Sequence, residues 1–271
     1  MLSCLKLPLT FNPRDLEADL NQISSEEWVK HFNDRSYEGE WSGVALRAVE
    51  GNSKQIYSDP GKEEILTDTP VLARCPSFRR LLMELECPVK SARLLKLAPG
   101  ARILEHRDYN LGLEDGRVRL HIPITTSPLV DFYLNGERIV MEPGECWYIN
   151  ANLPHRVDNR SNADRVHLVI DCLVDDWFRS LVESASEAAG SPVVSPASSE
   201  PRPLCPEALK EFSKLVFQNV SLQERLRQVM DEGLFLSLVV RLGEEHGFIF
   251  NEQDVAGALQ ANRRAWIEKW I

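Results

Sequence analysis

Three residues of this chain have the types and the spacing of a metal site. His106 and Asp108 are two residues apart, and His155 follows beyond a stretch with the pattern of β-strands. Two imidazoles and one carboxylate on one face of a metal ion leave three coordination positions open, which is the ligand set of non-haem Fe(II) oxygenases. A co-substrate and O2 can share those positions. The spacing therefore predicts that His106, Asp108 and His155 bind iron and form the catalytic centre.

Arg165 adds a second kind of chemistry. It lies ten residues beyond His155, at the head of the apolar run 166–170. A guanidinium at this point can hold a carboxylate through two parallel hydrogen bonds.

Other interpretations of the pair His106 and Asp108 are weaker. An isolated His-x-Asp is usually an exposed turn, and hydrolytic zinc sites more often place their ligands on a helix or in a Cys/His cluster, neither of which this sequence shows.

The overall composition excludes several functions. Of the 271 residues, 43% are hydrophobic and 27% are charged, as in a globular protein. A net charge of −10 argues against a general nucleic-acid-binding surface. The six cysteines form no C-x-x-C pair, which indicates reduced thiols. The sequence shows neither a signal peptide nor an apolar run of membrane-spanning length. We therefore expect a cytoplasmic protein that binds neither nucleic acid nor a membrane.

The chain divides at a segment rich in Ser, Ala and Pro, residues 184–206, whose composition is typical of a flexible linker. We expect a body over residues 1–183 and a helical domain over 207–271. The body begins with helices and continues with strands at residues 93–97, 118–124, 131–134, 138–141, 146–149 and 165–172. Asn135-Gly136 is a strong hairpin turn. This pattern predicts a mainly β fold with some α: a double-stranded β-helix, that is, a cupin-like jelly roll, plus a small C-terminal helical domain.

Strand alternation places basic side chains together. Arg119 and His121 share one face of the strand 118–124, and Arg165 and His167 share one face of the last strand. The ordinary interpretation is a sheet with one solvated face. The alternative is that both faces point into the barrel, where they would line a small cationic interior suited to one dianion.

The stretch from Arg93 to Asp171 resembles the aspartyl/asparaginyl/proline hydroxylase family of Fe(II)/2-oxoglutarate oxygenases. The resemblance is carried by RLLKLAPGARILEHRDYN, RVRLHIPIT and NGERIVMEPGECWYINANLPHRVDNRSNADRVHLVID, in this order.

This resemblance implies Fe(II), 2-oxoglutarate and O2 as cofactor and co-substrates. It implies that His106, Asp108 and His155 are iron ligands and that Arg165 holds the distal carboxylate of 2-oxoglutarate. It also places the strand pair of Arg119 and His121 against the co-substrate. The vertebrate-type aspartyl hydroxylases lack the carboxylate ligand, whereas free-proline hydroxylases have it, as this chain does.

The tail is similar to the nitrogen-fixation-associated (nif-type) leader-peptide domain, through LKEFSKLVFQNVSLQERLRQVMDEGLFLSLVVRLGEEHGFIFNEQDV. Such domains serve as leaders of ribosomal peptide natural products. The resemblance implies either a peptide-tailoring context with a precursor peptide as partner, or a neutral accessory bundle.

Three functions follow. The first, favoured by the tail, is hydroxylation of an sp3 C–H in an Asp, Asn or Pro side chain within a peptide or protein. The second is hydroxylation of a free amino acid of the proline type. The third is a non-catalytic cupin-like binding or sensor protein, which the complete ligand set disfavours. Substrate contacts are expected from the N-terminal third, where the candidates are His31, Tyr37, Trp41 and Arg47, although a Trp such as Trp41 is more commonly a packing residue.

Overall fold

The computed structural model describes residues 2–56, 66–108, 111–188, 206–219, 222, 225–226 and 232–261. The chain forms two compact units, residues 1–195 and 196–271. Strands of the first unit are β1 (Cys4–Thr10), β2 (Val29–Lys30), β3 (Tyr37–Glu38), β4 (Trp41–Val49), β5 (Leu66–Asp68), β6 (Val89–Leu97), β7 (Arg102–His106), β8 (Arg117–Thr125), β9 (Val130–Leu134), β10 (Glu137–Ile139), β11 (Glu145–Ile149), β12 (His155–Asn159) and β13 (Arg165–Leu173). Its helices are α1 (Pro13–Leu20), α2 (Pro70–Ala73), α3 (Pro76–Glu84) and α4 (Asp176–Ala188).

The strands form two antiparallel sheets. The larger has the order β1-β11-β8-β13-β6-β4-β2, with β5 added beside β4, and the smaller has the order β10-β9-β12-β7-β3. From β6 onwards the chain passes back and forth between them: β6, β8, β11 and β13 belong to the larger sheet, and β7, β9, β10 and β12 to the smaller. This is the double-stranded β-helix, or jelly roll, that the sequence predicted.

Both faces of the larger sheet are buried. On its outer face, Leu120 and Leu168 belong to a core cluster with Leu16 of α1 and Phe78 of α3. On its inner face, Val169 packs with side chains of the smaller sheet. The interpretation of a sheet with one solvated face is therefore wrong, because helices cover the outer face. The basic face of the last strand points into the barrel, which was the alternative.

Two glycine-containing turns fix the path between strands. Asn135 and Gly136 both have positive φ, 51° and 83°, as the predicted hairpin turn between β9 and β10 requires. At Gly144, φ is 82°, and a Cβ would lie 2.1 Å from the carbonyl oxygen of Phe11. Only glycine fits there, so this turn can pack against the segment that leads from β1 into α1.

The predicted linker begins too early. Helix α4 continues to Ala188, five residues into the segment 184–206. The helix persists because Val182 and Ala185 are buried in the outer core cluster, so tertiary packing outweighs the composition of this stretch. The rest of the predicted linker, up to residue 205, lies outside the described residues.

The second unit is helical where it is described, in agreement with the sequence. Its helices are α5 (Pro206–Gln218), α6 (Glu232–Glu245) and α7 (Glu252–Ala261). Buried apolar side chains from all three helices form its interior: Phe212, Val216, Leu236, Val239, Leu242 and Val255. In the described part of the chain, no helix has both the length and the apolar character needed to cross a membrane.

Candidate metal centre and anion pocket

The fold brings the three predicted metal ligands together. His106 ends β7 and His155 begins β12, and the two residues are directly opposite each other in the sheet. Asp108 follows two residues after β7, where its backbone N–H donates to the carbonyl of Ala151 at 2.9 Å. One ligand atom from each of the three side chains lies within 4.8 Å of the other two. This separation suits side chains that surround one cation.

The two histidines are held in the tautomer that a metal needs. Nδ1 of His106 is 2.8 Å from the carbonyl oxygen of Leu104, and Nδ1 of His155 is 2.9 Å from that of Leu153. A carbonyl only accepts, so each Nδ1 carries the proton and each Nε2 presents a lone pair. Burial, followed by the nearby charge of His106, lowers the pKa of His155 to about 4. His155 is therefore neutral at pH 7, and the donor set fits a divalent cation.

Asp108 is ionised for a different reason. Burial, the largest single cause, would on its own raise its pKa, but the positive charges of Arg119, His106, His155 and Arg93 together outweigh burial, and that of Arg119 is the largest of the four. The net effect is a pKa of Asp108 below its ordinary value. Oδ2 of Asp108 accepts a hydrogen bond from Nη1 of Arg119. The carboxylate is therefore charged and oriented before any cation arrives.

Arg119 lies between two carboxylates. Besides its contact with Asp108, it donates from Nε to Oδ1 of Asp171 at 2.8 Å and from Nη2 to Oδ2 of Asp171 at 3.1 Å. The sequence placed Arg119 against the co-substrate; in the structure its three bonds connect it to Asp108, a predicted metal ligand, and to Asp171. The sequence analysis assigned no role to Asp171, which is 2% exposed.

Arg165 has the opposite surroundings. It is 2% exposed, and Nη2 donates to Nδ1 of His167 at 2.9 Å. Its Nε has no hydrogen-bond partner among the described residues, and no carboxylate in that part of the chain raises its pKa. Burial lowers the pKa of Arg165 to about 9, so the group is still a cation at pH 7. A buried cation with a free donor is costly by itself and suits an anionic ligand.

His121 adjoins the same place. Its ring packs edge to face against His167, with centroids 5.8 Å apart, and its Nδ1 has no partner among the described residues. Burial, and then the charge of Arg165, lowers the pKa of both histidines well below the ordinary value. Arg165 and His167 also line a cavity of about 180 Å³, together with Phe132 and Met141. Arg165, His121 and His167 therefore lie together in the barrel interior, where Arg165 is a buried cation with no carboxylate partner among the described residues.

An aromatic group stands beside the metal ligands. The ring of His31 stacks on that of Trp41 at 3.6 Å, and Tyr37 meets Trp41 edge to face at 5.6 Å. Nε1 of Trp41 is buried without a partner among the described residues. Burial lowers the pKa of His31 to about 3, and the charges of Arg93, Asp108 and His106 also act on it. Of the four candidate substrate contacts, only Arg47 is elsewhere, paired with Asp68 at 2.8 Å.

The fold and these side chains define a class of protein: a jelly-roll barrel that brings together two histidines and an aspartate able to hold a metal ion and that also buries an arginine without a carboxylate partner among the described residues. The family described as aspartyl/asparaginyl beta-hydroxylase matches residues 10–174. This match covers more than half of the chain, and the protein belongs to that family. The match ends before the helical tail, whose resemblance to a leader-peptide domain finds no support in these comparisons.

Two curated relatives are proline hydroxylases. The chain is 27% identical over 163 residues to L-proline cis-4-hydroxylase of Rhizobium meliloti (strain 1021), covering 59% of this chain and 57% of the relative. It is 25% identical over 228 residues to L-proline cis-3-hydroxylase 1 of Streptomyces sp, covering 79% and 74%. The chain thus spans little more than half the length of the first of these relatives.

Solved structures show a distant likeness. The non-heme alpha-ketoglutarate-dependent carbocyclase SnoK from nogalamycin biosynthesis has a TM-score of 0.44 and 11% identity, over 63% of this chain and 79% of that one. A 2OG-Fe(II) oxygenase family oxidoreductase from Burkholderia pseudomallei has a TM-score of 0.40 and 11% identity, over 59% and 78%.

Proposed function

We propose that this protein is an Fe(II)- and 2-oxoglutarate-dependent hydroxylase of a small amino-acid substrate. One observation carries the proposal: three converging metal ligands share a barrel with Arg165, a buried cation that has no carboxylate partner among the described residues. A metal alone would explain the first feature and an anion alone the second. A metal-chelating dicarboxylate explains both at once.

The metal site would consist of His106, Asp108 and His155, through two Nε2 atoms and a carboxylate oxygen. Bound Fe(II), with 2-oxoglutarate and O2, supplies the oxidising power to hydroxylate an unactivated C–H bond as the co-substrate becomes succinate and CO2. The role of the protein is to place the reactants. The backbone carbonyl groups of Leu104 and Leu153 fix the orientation of the two imidazole rings.

Arg165 would bind the distal carboxylate of the co-substrate. Its Nε has no hydrogen-bond partner in the part of the chain that the structure describes, and a charge-assisted hydrogen bond in a buried site is stronger than one in water. His121 and His167 are neutral at pH 7, so Arg165 is the charged member of these three residues. His167 also fixes the guanidinium by accepting from Nη2. The co-substrate would then bind to a guanidinium whose orientation is already fixed.

The substrate side would be the aromatic group of His31, Tyr37 and Trp41. Stacked rings offer an apolar surface for an aliphatic ring or chain, and Nε1 of Trp41 offers one unused donor. We place a free amino acid ahead of a residue within a peptide, because the relatives are named as L-proline hydroxylases. The peptide interpretation depended on the leader-peptide resemblance of the tail, which has no further support.

The test is a substrate panel. Full-length protein is incubated with Fe(II), 2-oxoglutarate and O2, and with free L-amino acids, L-proline among them, or with peptides that contain the same residues. Succinate and the oxygenated product are measured by mass spectrometry. We expect equal amounts of succinate and hydroxylated free amino acid, and neither with His155→Ala. Product from peptides alone would establish the other substrate class, and the absence of succinate in every reaction would refute the proposal.

A further inference from the structure

Asp171 is a buried carboxylate of the barrel interior that accepts four hydrogen bonds from described residues. It lies near the end of β13 and is 2% exposed. Its Oδ1 accepts from Nε of Arg119, and its Oδ2 accepts from Nη2 of the same side chain. Oδ2 also accepts from Nη1 of Arg93 at 3.0 Å and from Oγ of Ser91 at 3.1 Å. The carboxylate therefore holds two arginines from two different strands.

The backbone determines these contacts. Strand β13 lies between β8 and β6, and Asp171 is directly opposite Arg119 in one ladder and opposite Ser91 in the other. Arg93 is two residues beyond Ser91, so its side chain projects from the same face of β6. Because strand register fixes all of these positions, Asp171 presents a rigid partner to Arg119.

Through Arg119, the fixed position of Asp171 also determines the position of Asp108. With its Nε and Nη2 edge bound to Asp171, Arg119 directs Nη1 at Oδ2 of Asp108. The contact occupies one carboxylate oxygen and leaves the other for a cation. A carboxylate that binds through one oxygen takes one coordination position, whereas bidentate binding takes two and leaves fewer for other ligands.

We propose that Asp171 is a positioning residue of the metal centre: through Arg119 it holds Asp108 so that one oxygen alone serves as a ligand. This inference rests on the proposed function, because it needs a metal at His106, Asp108 and His155. Asp171 acts at a distance and touches neither the metal nor the substrate. Its role is to keep the positions open that a chelating co-substrate and O2 require.

The chain contains a matched control. Asp131 on β9 is also a buried aspartate that binds two arginines, Arg138 at 2.6 Å and Arg160. Neither arginine contacts a predicted metal ligand in the described structure. A substitution of Asp131 therefore removes a similar carboxylate from a similar clasp without acting on Asp108. Any general effect of losing a buried aspartate appears in both variants, and a specific effect on the metal site appears in one.

The experiment measures metal affinity rather than turnover. Full-length wild type, Asp171→Asn, Arg119→Gln, the double variant and Asp131→Asn are titrated with Co(II) by calorimetry, after circular dichroism has shown a native fold. We expect Asp171→Asn to weaken Co(II) binding about 10- to 100-fold, the usual effect of removing a residue that orients a metal ligand. Asp131→Asn should bind Co(II) as the wild type does. The double variant should lose no more affinity than Arg119→Gln, because both substitutions break one chain of contacts.

Asp171→Asn leaves two arginines without their shared carboxylate, which can prevent folding. Arg119→Lys then serves as the second variant, since it keeps the charge but lacks the planar fork that spans two carboxylates. Weakened Co(II) binding by folded Arg119→Lys supports the inference. Wild-type affinity in a folded Asp171→Asn or Arg119→Lys, or additive losses in the double variant, would overturn it and leave the proposed function intact. A wild-type protein that binds no Co(II) would overturn both.

Discussion

Two arginines of the same barrel interior, Arg119 on β8 and Arg165 on β13, have opposite surroundings. Arg119 is clasped by Asp108 and Asp171, and the two carboxylates raise its pKa although burial alone would lower it. Arg165 has only His167 as a hydrogen-bond partner among the described side chains, and burial lowers its pKa to about 9. The sequence assigned both to the co-substrate.

The difference shows how partners, rather than residue type, divide the roles. A buried guanidinium whose charge is already neutralised by carboxylates attracts a further anionic ligand only weakly. Its hydrogen bonds instead orient the carboxylates that accept them. A buried guanidinium without a carboxylate retains the capacity to bind one. We therefore propose that Arg119 serves the predicted metal ligands and that Arg165 binds the anionic co-substrate.

The largest effect should come from removing one of the three predicted metal ligands. Asp108→Ala or His155→Ala should abolish both metal binding and succinate formation, because two ligands do not hold the ion that the co-substrate chelates. Calorimetry with Co(II) and a succinate assay measure the two losses. His246→Ala is the control, because its Nδ1 bonds a backbone carbonyl at 2.8 Å just as His155 does, but in the second unit. Equal losses in His246→Ala would indicate a general effect on the protein.

The comparison predicts that substitution of Arg165 affects binding of 2-oxoglutarate without affecting binding of the metal. Arg165→Ala should raise the KM for 2-oxoglutarate about 10- to 100-fold, the equivalent of a lost hydrogen bond to a charged group. Metal affinity should change little, because Arg165 contacts none of the three ligands. Steady-state kinetics and Co(II) titration measure the two quantities, with the exposed Arg160→Ala as control. An unchanged KM in Arg165→Ala would mean that another residue binds the distal carboxylate of 2-oxoglutarate.

A smaller effect concerns the neutral histidines beside Arg165. The pKa values of His121 and His167 in the folded protein lie well below the ordinary 6.5, so the unfolded chain takes up their protons first as the pH falls. Their contribution to the free energy of unfolding is complete above about pH 6.5 and declines below it, by about 1.4 kcal/mol per pH unit for each histidine at most. Urea unfolding of the metal-free protein between pH 7.5 and 5 measures this slope together with the contributions of His31 and His155, whose pKa values are also lowered.

The same titration has an internal check. His121→Gln should reduce the slope by roughly one proton, since a glutamine does not titrate in this range. A metal-free protein whose stability is constant over that range would mean that these histidines are charged in the folded state. Arg165 would then not be the only charged member of the group that it forms with His121 and His167.

The smallest effect is expected from the second unit. The three metal ligands and both arginines precede residue 174, and residues 1–195 form a compact unit of their own. A chain that ends at residue 195 should therefore bind Co(II) and 2-oxoglutarate with the affinities of the full-length protein. Calorimetry on the two chains gives the comparison. Loss of either affinity, with a native circular dichroism spectrum, would show that residues 196–271 contribute to the site.

The sequence predicted the features that depend on local spacing. The short spacing of His106 and Asp108, the turn at Asn135-Gly136 and the alternation along β13 all follow from residues close together in the chain. Strand β4 was not predicted, because Val44, Ala45 and Leu46 form an apolar run buried on both faces of the sheet, which leaves no alternation to recognise.

The remaining differences depend on which strands become neighbours. Strand alternation puts Asp171 on the same face as Arg165, but its pairing with Arg119 requires the register of two strands 52 residues apart. Likewise, Ser184–Ala188 has the composition of a linker, yet it is helical because Ala185 is buried in the outer core. Composition and periodicity carry no information about either contact.

A crystal structure of the protein with Mn(II) and 2-oxoglutarate tests the division of roles most directly. The account predicts one metal ion at about 2.0–2.2 Å from Nε2 of His106, Nε2 of His155 and a single oxygen of Asp108. It predicts the distal carboxylate of 2-oxoglutarate on Arg165, with Arg119 still bound to Asp108 and Asp171. A distal carboxylate on Arg119, with Arg165 empty, would contradict it.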